Sequence, residues 1–461
     1  MRYNDILKSE LRKLNHKIIV LDDDPTGTQT VHDVPVYTDW SVQSLQEGFL
    51  EDSPLFFVLT NSRSFSIEKT ISVHRDIAKN ILEISEKLRR KFIIISRGDS
   101  TLRGHYPLET EILAETIEKY SELRFDGEIF IPFFKEGGRL TIDNIHYVAS
   151  GDLLVPVAET EYARDKTFGY ISSSLPEYIQ EKSNGNYKAS DVISISLDML
   201  RKASFDEIVE ILSSASEKKK IIVNASEYSD IEAFAIAFLK AVQKGKNYIL
   251  RTAASFVKVI SGIGSKENLA KKDFPRIGHK AGGLVVIGSY VQKTSEQLES
   301  LRRIPNIEFI VFNQHLALQK HALALEASRI SLLCSEKIRS GITPVIYTRR
   351  DIFNTGENDT EKDLKLSTTI SAALASIVRM LDASPAFIVA KGGITSSDIG
   401  ILGLNVRKAI VAGQIKPGVP VWITGPESKF PGIPFVIFPG NVGAPETLKE
   451  VVEILLEAYE I

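Results

Sequence analysis

The stretch that decides the fold class reads KIIVLDDDPTGTQT over residues 17–30. Residues 17–22 are mainly apolar and β-branched, which is typical of a strand buried on both faces of a parallel sheet. A polar turn with Pro25 and Gly27 follows directly. In such sheets ligands bind beyond the carboxyl ends of the strands, so the residues that follow strands are the first candidates for function.

Short apolar runs alternate with stretches of helical periodicity along the rest of the chain. We predict further strands over residues 55–60, 92–96, 128–132, 192–197, 221–225, 248–250, 284–287, 308–312, 344–347, 386–390, 419–423 and 435–438. We predict helices over residues 69–90, 109–120, 204–214, 230–243, 295–303, 316–339, 367–381 and 445–459. This alternation indicates an α/β fold of two domains, each with a mainly parallel sheet flanked by helices.

The length of the chain also argues for two domains, because 461 residues are too many for one ordinary hydrophobic core. Residues 262–283 are rich in Gly, Lys and polar side chains and show no sustained periodicity. We therefore predict a linker there. It would separate a first domain over residues 1–261 from a second domain over residues 284–461.

The composition of the chain limits its possible binding partners and its cellular compartment. The net charge is −3, so the chain has no overall positive field that would favour nucleic acid or an anionic membrane. No apolar run approaches the roughly 20 residues that a membrane-spanning helix needs, and the first residues lack the apolar core of a secretory signal. We therefore expect a cytoplasmic protein that binds neither nucleic acid nor membrane. The oligomeric state stays open, with a homodimer as one option.

The chain contains one cysteine, Cys334, which excludes an intramolecular disulfide and a zinc site built from several thiolates. Because Cys334 lies in an apolar-striped helical stretch, we expect a buried structural thiol. The histidines are scattered and show no metal-ligand spacing, so the sequence leaves the ligands of any metal unknown.

The turn after the first strand carries three successive carboxylates, those of Asp22, Asp23 and Asp24. Carboxylates this close repel one another unless a cation, a proton or basic neighbours compensate them. Such a loop can hold a hydroxylated substrate, deprotonate a hydroxyl or ligate Mg²⁺. The alternative is a solvated acidic loop after an edge strand.

The same loop fits a second chemistry. Asp22, Asp24 and Thr26 have the spacing of the first motif of haloacid-dehalogenase-type phosphatases, and residues 59–61 could pass for the second motif. In that class the first Asp is the nucleophile and the second is the acid/base. This reading gives no role to residues 98–104 or to the second domain, so the phosphatase stands as the alternative.

Basic loops follow two neighbouring predicted strands. Residues 96–107 read SRGDSTLRGHYP, and residues 61–64 read NSRS. An Arg guanidinium can bind a carboxylate with two hydrogen bonds, while Asp and hydroxyl side chains bond sugar hydroxyls. The candidates in these loops are Arg63, Arg97, Asp99, Ser100 and Arg103. The alternative for each loop is a salt-bridged connection. A third candidate is residues 134–139, followed by Thr141, Asp143 and His146, and a fourth is residues 161–166, for which the alternative is a solvated charged face.

Glycine-bearing loops end three strands of the second domain, at residues 288–289, 391–397 and 439–445. Glycine lets backbone N–H groups approach an anion, and loops of this kind on one sheet edge would form a cradle for nucleotide phosphates. Thr294 could cap the helix that follows the first of them. The chain has neither a GxxxxGK[ST] motif nor a GxGxxG motif after a strand, which argues against an ordinary P-loop enzyme and a Rossmann dehydrogenase.

Taken in order, these motifs resemble the four-carbon acid sugar kinase family over nearly the whole chain. The resemblance rests on residues 21–27, 97–104, 138–148, 288–294, 391–396 and 440–443. It implies a first domain that binds the acid sugar and a second domain that binds ATP with Mg²⁺. On the acid-sugar side it implies roles for Asp23, Asp24, Thr26, Gly27, Arg97, Asp99, Ser100 and Arg103. On the nucleotide side it implies contacts from Ser289, Gly392, Gly393, Ile394, Thr395 and Gly440.

Some positions depart from the better-known members of that family. Those members carry an acidic residue where Ile394 stands and a small polar residue where Pro439 stands. They also lack the 162–170 stretch in this form. The acid is therefore less well specified than the family, and a branched 3-oxo acid is one alternative.

The resemblance gives a concrete mechanism. Asp24, with Asp23 as second choice, would accept the proton of the attacking hydroxyl, and Arg63, Arg97 or Arg103 would hold the carboxylate of the acid. Closure of the domains would exclude water, since phosphoryl transfer depends mainly on positioning and charge neutralisation. A non-catalytic sensor of sugar acids is an alternative from another class of protein. Binding alone needs the loop of residues 96–107, here called the arginine loop, but not Asp22, Asp23 and Asp24, here called the acidic triplet.

Overall fold

The structure is a computed structural model that describes residues 3–202, 204–274, 281–289, 291–349, 360–440 and 442–460. Part of the predicted linker, residues 275–280, and Asn441 of the third glycine loop lie outside these ranges. The chain divides into two compact units, Met1–Ser265 and Lys266–Ile461. Each unit has a mainly parallel sheet flanked by helices, so the predicted fold class is confirmed.

The first unit is built on a parallel sheet in the order β2-β3-β1-β4-β11-β5-β10-β9, and β6, β7 and β8 form a separate antiparallel sheet. In chain order its strands are β1 His16–Asp22, β2 Val34–Tyr37, β3 Leu55–Leu59, β4 Lys91–Arg97, β5 Gly127–Ile131, β6 Arg139–Ile142, β7 Ile145–Ser150, β8 Leu153–Pro156, β9 Ile193–Ile195, β10 Lys219–Val223 and β11 Tyr248–Thr252.

Helices cover both faces of this parallel sheet. They are α1 Tyr3–Arg12, α2 Val42–Leu50, α3 Ile67–Leu88, α4 Leu108–Tyr120, α5 Leu175–Lys182, α6 Leu197–Arg201, α7 Phe205–Ser214, α8 Tyr228–Gln243 and α9 Ala254–Ile260. On one face Ile77 and Ile81, four residues apart on α3, pack in a buried cluster with Ile19 of β1. On the other face Phe238 of α8 contacts Tyr248 of β11, with ring centroids 5.7 Å apart.

The second unit has the strand order β13-β14-β12-β15-β18-β17-β16. Its strands are β12 Leu284–Ile287, β13 Ile307–Phe312, β14 Thr343–Thr348, β15 Ile388–Lys391, β16 Lys408–Lys416, β17 Val419–Thr424 and β18 Pro434–Phe438. The strands from β13 to β18 pair in parallel, whereas β17 and β16 extend the sheet as antiparallel strands. Its helices are α10 Gln292–Leu301, α11 Lys320–Arg339, α12 Thr360–Met380, α13 Gly393–Asp398 and α14 Thr447–Tyr459.

Each sheet has a point where the strand order reverses, and ligands of open α/β sheets bind at such points. In the first unit β1 lies between β3 and β4, and the register pairs Asp22 with Arg97 at the carboxyl ends. In the second unit β12 lies between β14 and β15, and the register pairs Ile287 with Lys391. The predicted acidic and glycine-bearing loops therefore follow strands that flank these reversal points.

The structure also bears on the predictions made for Cys334 and for membrane-spanning helices. Cys334 lies in α11 with no exposed surface, and burial raises the pKa of its thiol to about 12, so the buried structural thiol is confirmed. Within the described ranges, no helix has both the length and the apolar character that crossing a membrane requires.

Candidate functional site

The three carboxylates that follow β1 are buried rather than solvated. Asp22, Asp23 and Asp24 are 1%, 2% and 8% exposed. Nη1 of Arg97, at the end of the neighbouring strand β4, lies 3.0, 3.2 and 3.5 Å from one oxygen of each in turn. Arg97 is itself 4% exposed. The Arg97 guanidinium therefore contacts all three carboxylates, and the solvated-loop alternative does not describe this turn.

The acidic triplet still carries more negative charge than Arg97 can neutralise. Burial raises the pKa of Asp22 to about 7, although Arg97 beside it acts in the opposite direction. Burial likewise raises the pKa of Asp23 against the attraction of Arg63 and Arg97. The triplet therefore favours a proton or a cation in addition to the arginine.

Gly27 is required by the turn that covers the triplet. A Cβ atom at this position would lie 2.1 Å from Oδ2 of Asp22, which leaves no room for any side chain. Thr26, the other predicted residue of the turn, donates its backbone N–H to Oδ1 of Asp24 at 2.7 Å and its hydroxyl to the same oxygen at 2.5 Å. Both residues therefore shape the acidic turn and fix the orientation of Asp24.

A more exposed layer of charges lies next to the triplet. Arg63 contacts Oδ2 of Asp24, and its Nη1 lies 3.4 Å from Oδ1 of Asp99. Nε of Arg103 donates to Oδ2 of Asp99 at 2.8 Å, and its Nη1 lies 3.8 Å from Asp165. The side chains of Arg63 and Arg103 are 24% and 25% exposed, far more than that of Arg97. The structure thus joins the acidic turn to Asp99 through Arg63, with Arg63 and Arg103 as the accessible arginines.

The carboxyl of Asp99 in this layer is ionised. Burial acts to raise the pKa of Asp99, but Arg103 and Arg63 outweigh it and hold that pKa well below its usual range. Ser100, the remaining predicted residue of the loop, is 7% exposed. Asp99 is therefore a fixed anion that orients two arginines.

Sequence reasoning missed a buried support beneath the arginine loop. Nη1 of Arg251 on β11 donates to Oγ of Ser96 at 2.8 Å and also contacts Oε2 of Glu109. A Cβ atom at Gly98 or Gly104 would lie 2.2 or 2.8 Å from the Arg251 guanidinium. Both glycines are therefore explained by this guanidinium. An arginine inside the otherwise apolar strand 248–252 was the signal that could have revealed it.

The chemistry of the acidic triplet fits a divalent cation. Mg²⁺ prefers carboxylate oxygens, and one oxygen from each of Asp22, Asp23 and Asp24 lies within 4.8 Å of the others. Oδ2 of Asp22 and Oδ2 of Asp23 have no hydrogen-bond partner among the described residues. Arg97 is bound to the same carboxylates, so a cation would share them with the guanidinium.

The three glycine-bearing loops of the second unit follow adjacent strands. Gly288 follows β12, Gly392 follows β15 and Gly440 lies two residues beyond β18. Thr294 does not cap α10. It lies inside that helix, and its hydroxyl is 3.0 Å from Oγ of Ser289 and 3.2 Å from the carbonyl of Gly440, so it joins two of the loops. Nζ of Lys391, which is fully buried, donates to the carbonyl of Pro439 at 3.0 Å and so joins the loop of residues 391–397 to the loop of residues 439–445.

The glycines of this cradle allow close packing, with one exception. A Cβ atom at Gly288 would lie 2.1 Å from Oγ1 of Thr395, and one at Gly440 would lie 3.0 Å from Oγ of Ser289. Gly392 has a φ of +122°, a conformation that side chains rarely adopt. Gly393, in contrast, faces open space, and the next residue, Ile394, is 39% exposed. The structure thus brings Ser289, Gly392, Thr395 and Gly440 together and leaves Gly393 and Ile394 accessible beside them.

The third and fourth candidate stretches, residues 134–139 and 161–166, differ in their contacts with the arginines of the site. Lys135 forms an exposed ion pair with Glu227 at 2.5 Å. Arg164 and Lys166 are exposed to solvent. From these stretches, Asp165 and Tyr162 contact Arg103, with the Tyr162 ring centroid 5.0 Å from its guanidinium.

A family model described as the sugar-binding N-terminal domain matches residues 18–260, more than half of the chain. The chain belongs to this family. A second model, described as the nucleotide-binding C-terminal domain, matches residues 284–448. The sugar-binding domain contains the acidic triplet and the arginine loop, and the nucleotide-binding domain contains the glycine-bearing loops. Together the two models indicate the four-carbon acid sugar kinase family that the motifs resemble.

Two solved structures have a fold similar to that of this chain. Protein HI1011 of Haemophilus influenzae is 17% identical with a TM-score of 0.65, and the alignment covers 95% of this chain and 100% of that one. A protein of Salmonella typhimurium LT2 is 14% identical with a TM-score of 0.67, at 94% and 98% coverage. At these identities the likeness concerns the fold alone. No curated protein matches the chain.

Proposed function

We propose that the protein is an ATP-dependent kinase that phosphorylates a hydroxyl of a small acid sugar, most simply a four-carbon one. The observation that carries this proposal is the pairing of the buried acidic triplet with accessible arginines at the strand-order reversal of the sugar-binding domain. Carboxylates suit a substrate hydroxyl, and arginines suit a substrate carboxylate. A separate nucleotide-binding domain on the same chain supplies the phosphoryl donor.

Asp24 is the general base in this proposal. It is the most exposed of the three carboxylates, and Thr26 and Arg63 hold it in one orientation. Asp22 and Asp23 lie deeper and share Arg97 with it. Asp23 remains the second choice for the base.

Arg63 and Arg103 bind the carboxylate of the substrate. Each is about a quarter exposed, and each is oriented by Asp99. Arg97 has a different task from the one expected of it by sequence, because its Nη1 is engaged by the acidic triplet. We assign it the neutralisation of that triplet. Asp99 and Ser100 remain proposed partners of sugar hydroxyls.

The glycine-bearing loops bind ATP in this proposal, through Ser289, Gly392, Gly393, Ile394, Thr395 and Gly440. Gly393 and Ile394 offer accessible backbone beside the packed glycines, which suits close approach of phosphate oxygens. Mg²⁺ bound with ATP supplies neutralisation of phosphate charge, and the residues of this chain supply position and orientation.

The phosphatase alternative is disfavoured by the surroundings of Asp22. A phosphatase of that class uses this residue as its nucleophile, so its carboxylate has to reach a phosphate ester. Asp22 is 1% exposed, its Oδ1 is bound to Arg97 and its Oδ2 lies under the Gly27 turn. A buried, partly protonated carboxyl is a poor nucleophile.

A screen of four- to six-carbon sugar acids for acid-dependent release of ADP tests the proposal. The neutral polyol of the same length serves as the control for each acid. The proposal expects release of ADP with at least one acid and none with its polyol. A basal ATPase that no acid stimulates would contradict it.

A further inference from the structure

Three consecutive backbone carbonyls of the arginine loop are each held by a different buried side chain. Nε2 of His146 on β7 lies 2.8 Å from the carbonyl oxygen of Ser100. The hydroxyl of Tyr170 donates to the carbonyl of Thr101 at 2.8 Å, and the hydroxyl of Tyr178 on α5 donates to the carbonyl of Leu102 at 2.6 Å. These donors come from three separate segments of the chain. For convenience we call His146, Tyr170 and Tyr178 the carbonyl clamp.

Each side chain of the carbonyl clamp is in the protonation state that the contact needs. Burial lowers the pKa of His146 to about 4, so the ring is neutral at physiological pH. Since the Ser100 carbonyl can only accept, the proton lies on Nε2, and Nδ1 accepts from the hydroxyl of Thr141 at 2.9 Å. Burial raises the pKa of Tyr170 and of Tyr178, so both remain donors.

The side chains of the carbonyl clamp are buried and packed. His146, Tyr170 and Tyr178 are 0%, 4% and 0% exposed. The rings of Tyr170 and Tyr178 meet edge to face with centroids 5.5 Å apart, and Leu102 packs in the same apolar cluster. The loop cannot turn its carbonyls outward without breaking several buried contacts.

The orientation of these carbonyls determines where the next N–H groups point. In a planar trans peptide the carbonyl of one residue and the N–H of the next point in opposite directions. The N–H groups of Thr101, Leu102 and Arg103 therefore point away from the carbonyl clamp. The N–H of Leu102 donates to the carbonyl of Asp99 at 3.1 Å. Those of Thr101 and Arg103 donate to no atom of the described residues.

Two unbonded N–H groups in this position require an explanation. Thr101 is 2% exposed, whereas Arg103, whose guanidinium lies beside Asp99, is partly exposed. Buried backbone N–H groups in native proteins nearly always have a hydrogen-bond partner, which can be a ligand. N–H groups on one side of a loop can form a concave site that favours anions, and here those of Thr101 and Arg103 flank that of Leu102, which is bonded to Asp99.

We propose that His146, Tyr170 and Tyr178 are positioning residues that present the N–H groups of Thr101 and Arg103 to the carboxylate of the acid substrate. This inference rests on the proposed function and deepens it. The carboxylate would accept from these two N–H groups and from the Arg103 guanidinium. The clamp itself touches no substrate, because its side chains lie on the opposite side of the loop.

The first test measures binding of erythronate and of the neutral polyol erythritol by calorimetry. Tyr170→Phe and Tyr178→Phe each remove one hydroxyl and keep the ring. Each should weaken erythronate binding about fivefold, the usual effect of one lost hydrogen bond, and leave erythritol and ATP binding unchanged. Tyr248→Phe is the matched control, since that hydroxyl also donates to a buried backbone carbonyl, of Leu212 at 2.8 Å, away from the loop.

The second test uses the unmodified protein with ¹⁵N-labelled amides. Erythronate, and not erythritol, should shift the amide protons of Thr101 and Arg103 downfield. If the wild type binds erythronate but neither the Phe variants nor these amides respond, the inference is wrong and the proposed function stands. Shifts caused by inorganic phosphate instead would also overturn it, by assigning the loop to the phosphoryl group. Failure of the wild type to bind any sugar acid would contradict the proposed function itself.

Discussion

Nη1 of Arg97 lies 3.0 Å from Oδ1 of Asp22, and the two residues are direct register partners at the carboxyl ends of adjacent parallel strands. The pair is almost completely buried. Because Asp23 and Asp24 contact the same nitrogen, the Arg97 guanidinium joins all three carboxylates of the acidic turn.

Arg97→Met should therefore destabilise the protein strongly at neutral pH. Removing one partner of a buried ion pair typically costs about 3–5 kcal/mol, because it leaves uncompensated charge in the interior. The loss should shrink as the pH falls, since protonation of the carboxylates removes the repulsion. Chemical denaturation of the variant at several pH values measures this. Arg97→Lys, which keeps the charge, is the control, and equal losses for both variants at every pH would contradict the electrostatic account.

A second prediction concerns the pH dependence that Asp22 imposes. Its pKa is about 7 in the folded protein and 3.8 ordinarily, so the folded state binds more protons between these values. The contribution of Asp22 to stability is therefore present below about pH 4 and is lost as the pH rises through 7. The Asn side chain of Asp22→Asn cannot ionise. The free energy of unfolding of this variant relative to that of the wild type should therefore rise between about pH 4 and pH 7 and then level off. A difference between the two proteins that does not vary with pH would show that Asp22 titrates normally.

Arg103→Ala should weaken acid-sugar binding about tenfold or more and leave ATP affinity nearly unchanged. A charge-assisted hydrogen bond to a carboxylate contributes about 1.5–3 kcal/mol. Calorimetric titration with each ligand separates the two affinities. Arg201→Ala is the matched control, since Arg201 also pairs with an Asp through Nε, at 3.1 Å, in the same unit. Equal losses for acid and ATP would indicate a structural salt bridge instead.

Gly393→Phe should abolish tight nucleotide binding while the protein stays folded. A Cβ atom at Gly393 would meet no atom of the described residues within 4 Å, so a Phe side chain has room to project into the space proposed for phosphate. Gly264→Phe introduces the same side chain at another open glycine and should leave binding intact. Unchanged ADP affinity in a folded Gly393→Phe protein would remove this loop from the nucleotide site.

Much of the fold could be predicted because the parallel strands are buried on both faces and read as continuous apolar runs. The strands missed by the prediction lack that signal. β2 has four residues, and the small sheet of β6, β7 and β8 is partly exposed, so neither forms a long apolar run. Residues 408–416 form an antiparallel strand that alternates between buried and less buried positions.

The residues of the candidate site also include some that local sequence motifs predict and some that they do not. Local motifs after strands predicted that Asp24, Arg63 and Arg103 lie close together, because parallel strands bring their carboxyl ends to one edge. Arg251 and Tyr178 reach the loop from distant parts of the chain, and no local pattern encodes such a contact. The engagement of Arg97 by the triplet was also hidden, since charge compensation depends on distances and burial.

The measurement that tests the central claim most directly follows the γ-phosphate of ATP with a radioactive label. Wild-type protein is incubated with labelled ATP, Mg²⁺ and each sugar acid, and the products are separated. The account predicts label in a sugar-acid phosphate, with turnover of Asp24→Asn lowered about a hundredfold or more while both substrates still bind. Label found in inorganic phosphate alone, or rapid hydrolysis of sugar-acid phosphates without nucleotide through an acyl-phosphate on Asp22, would contradict it.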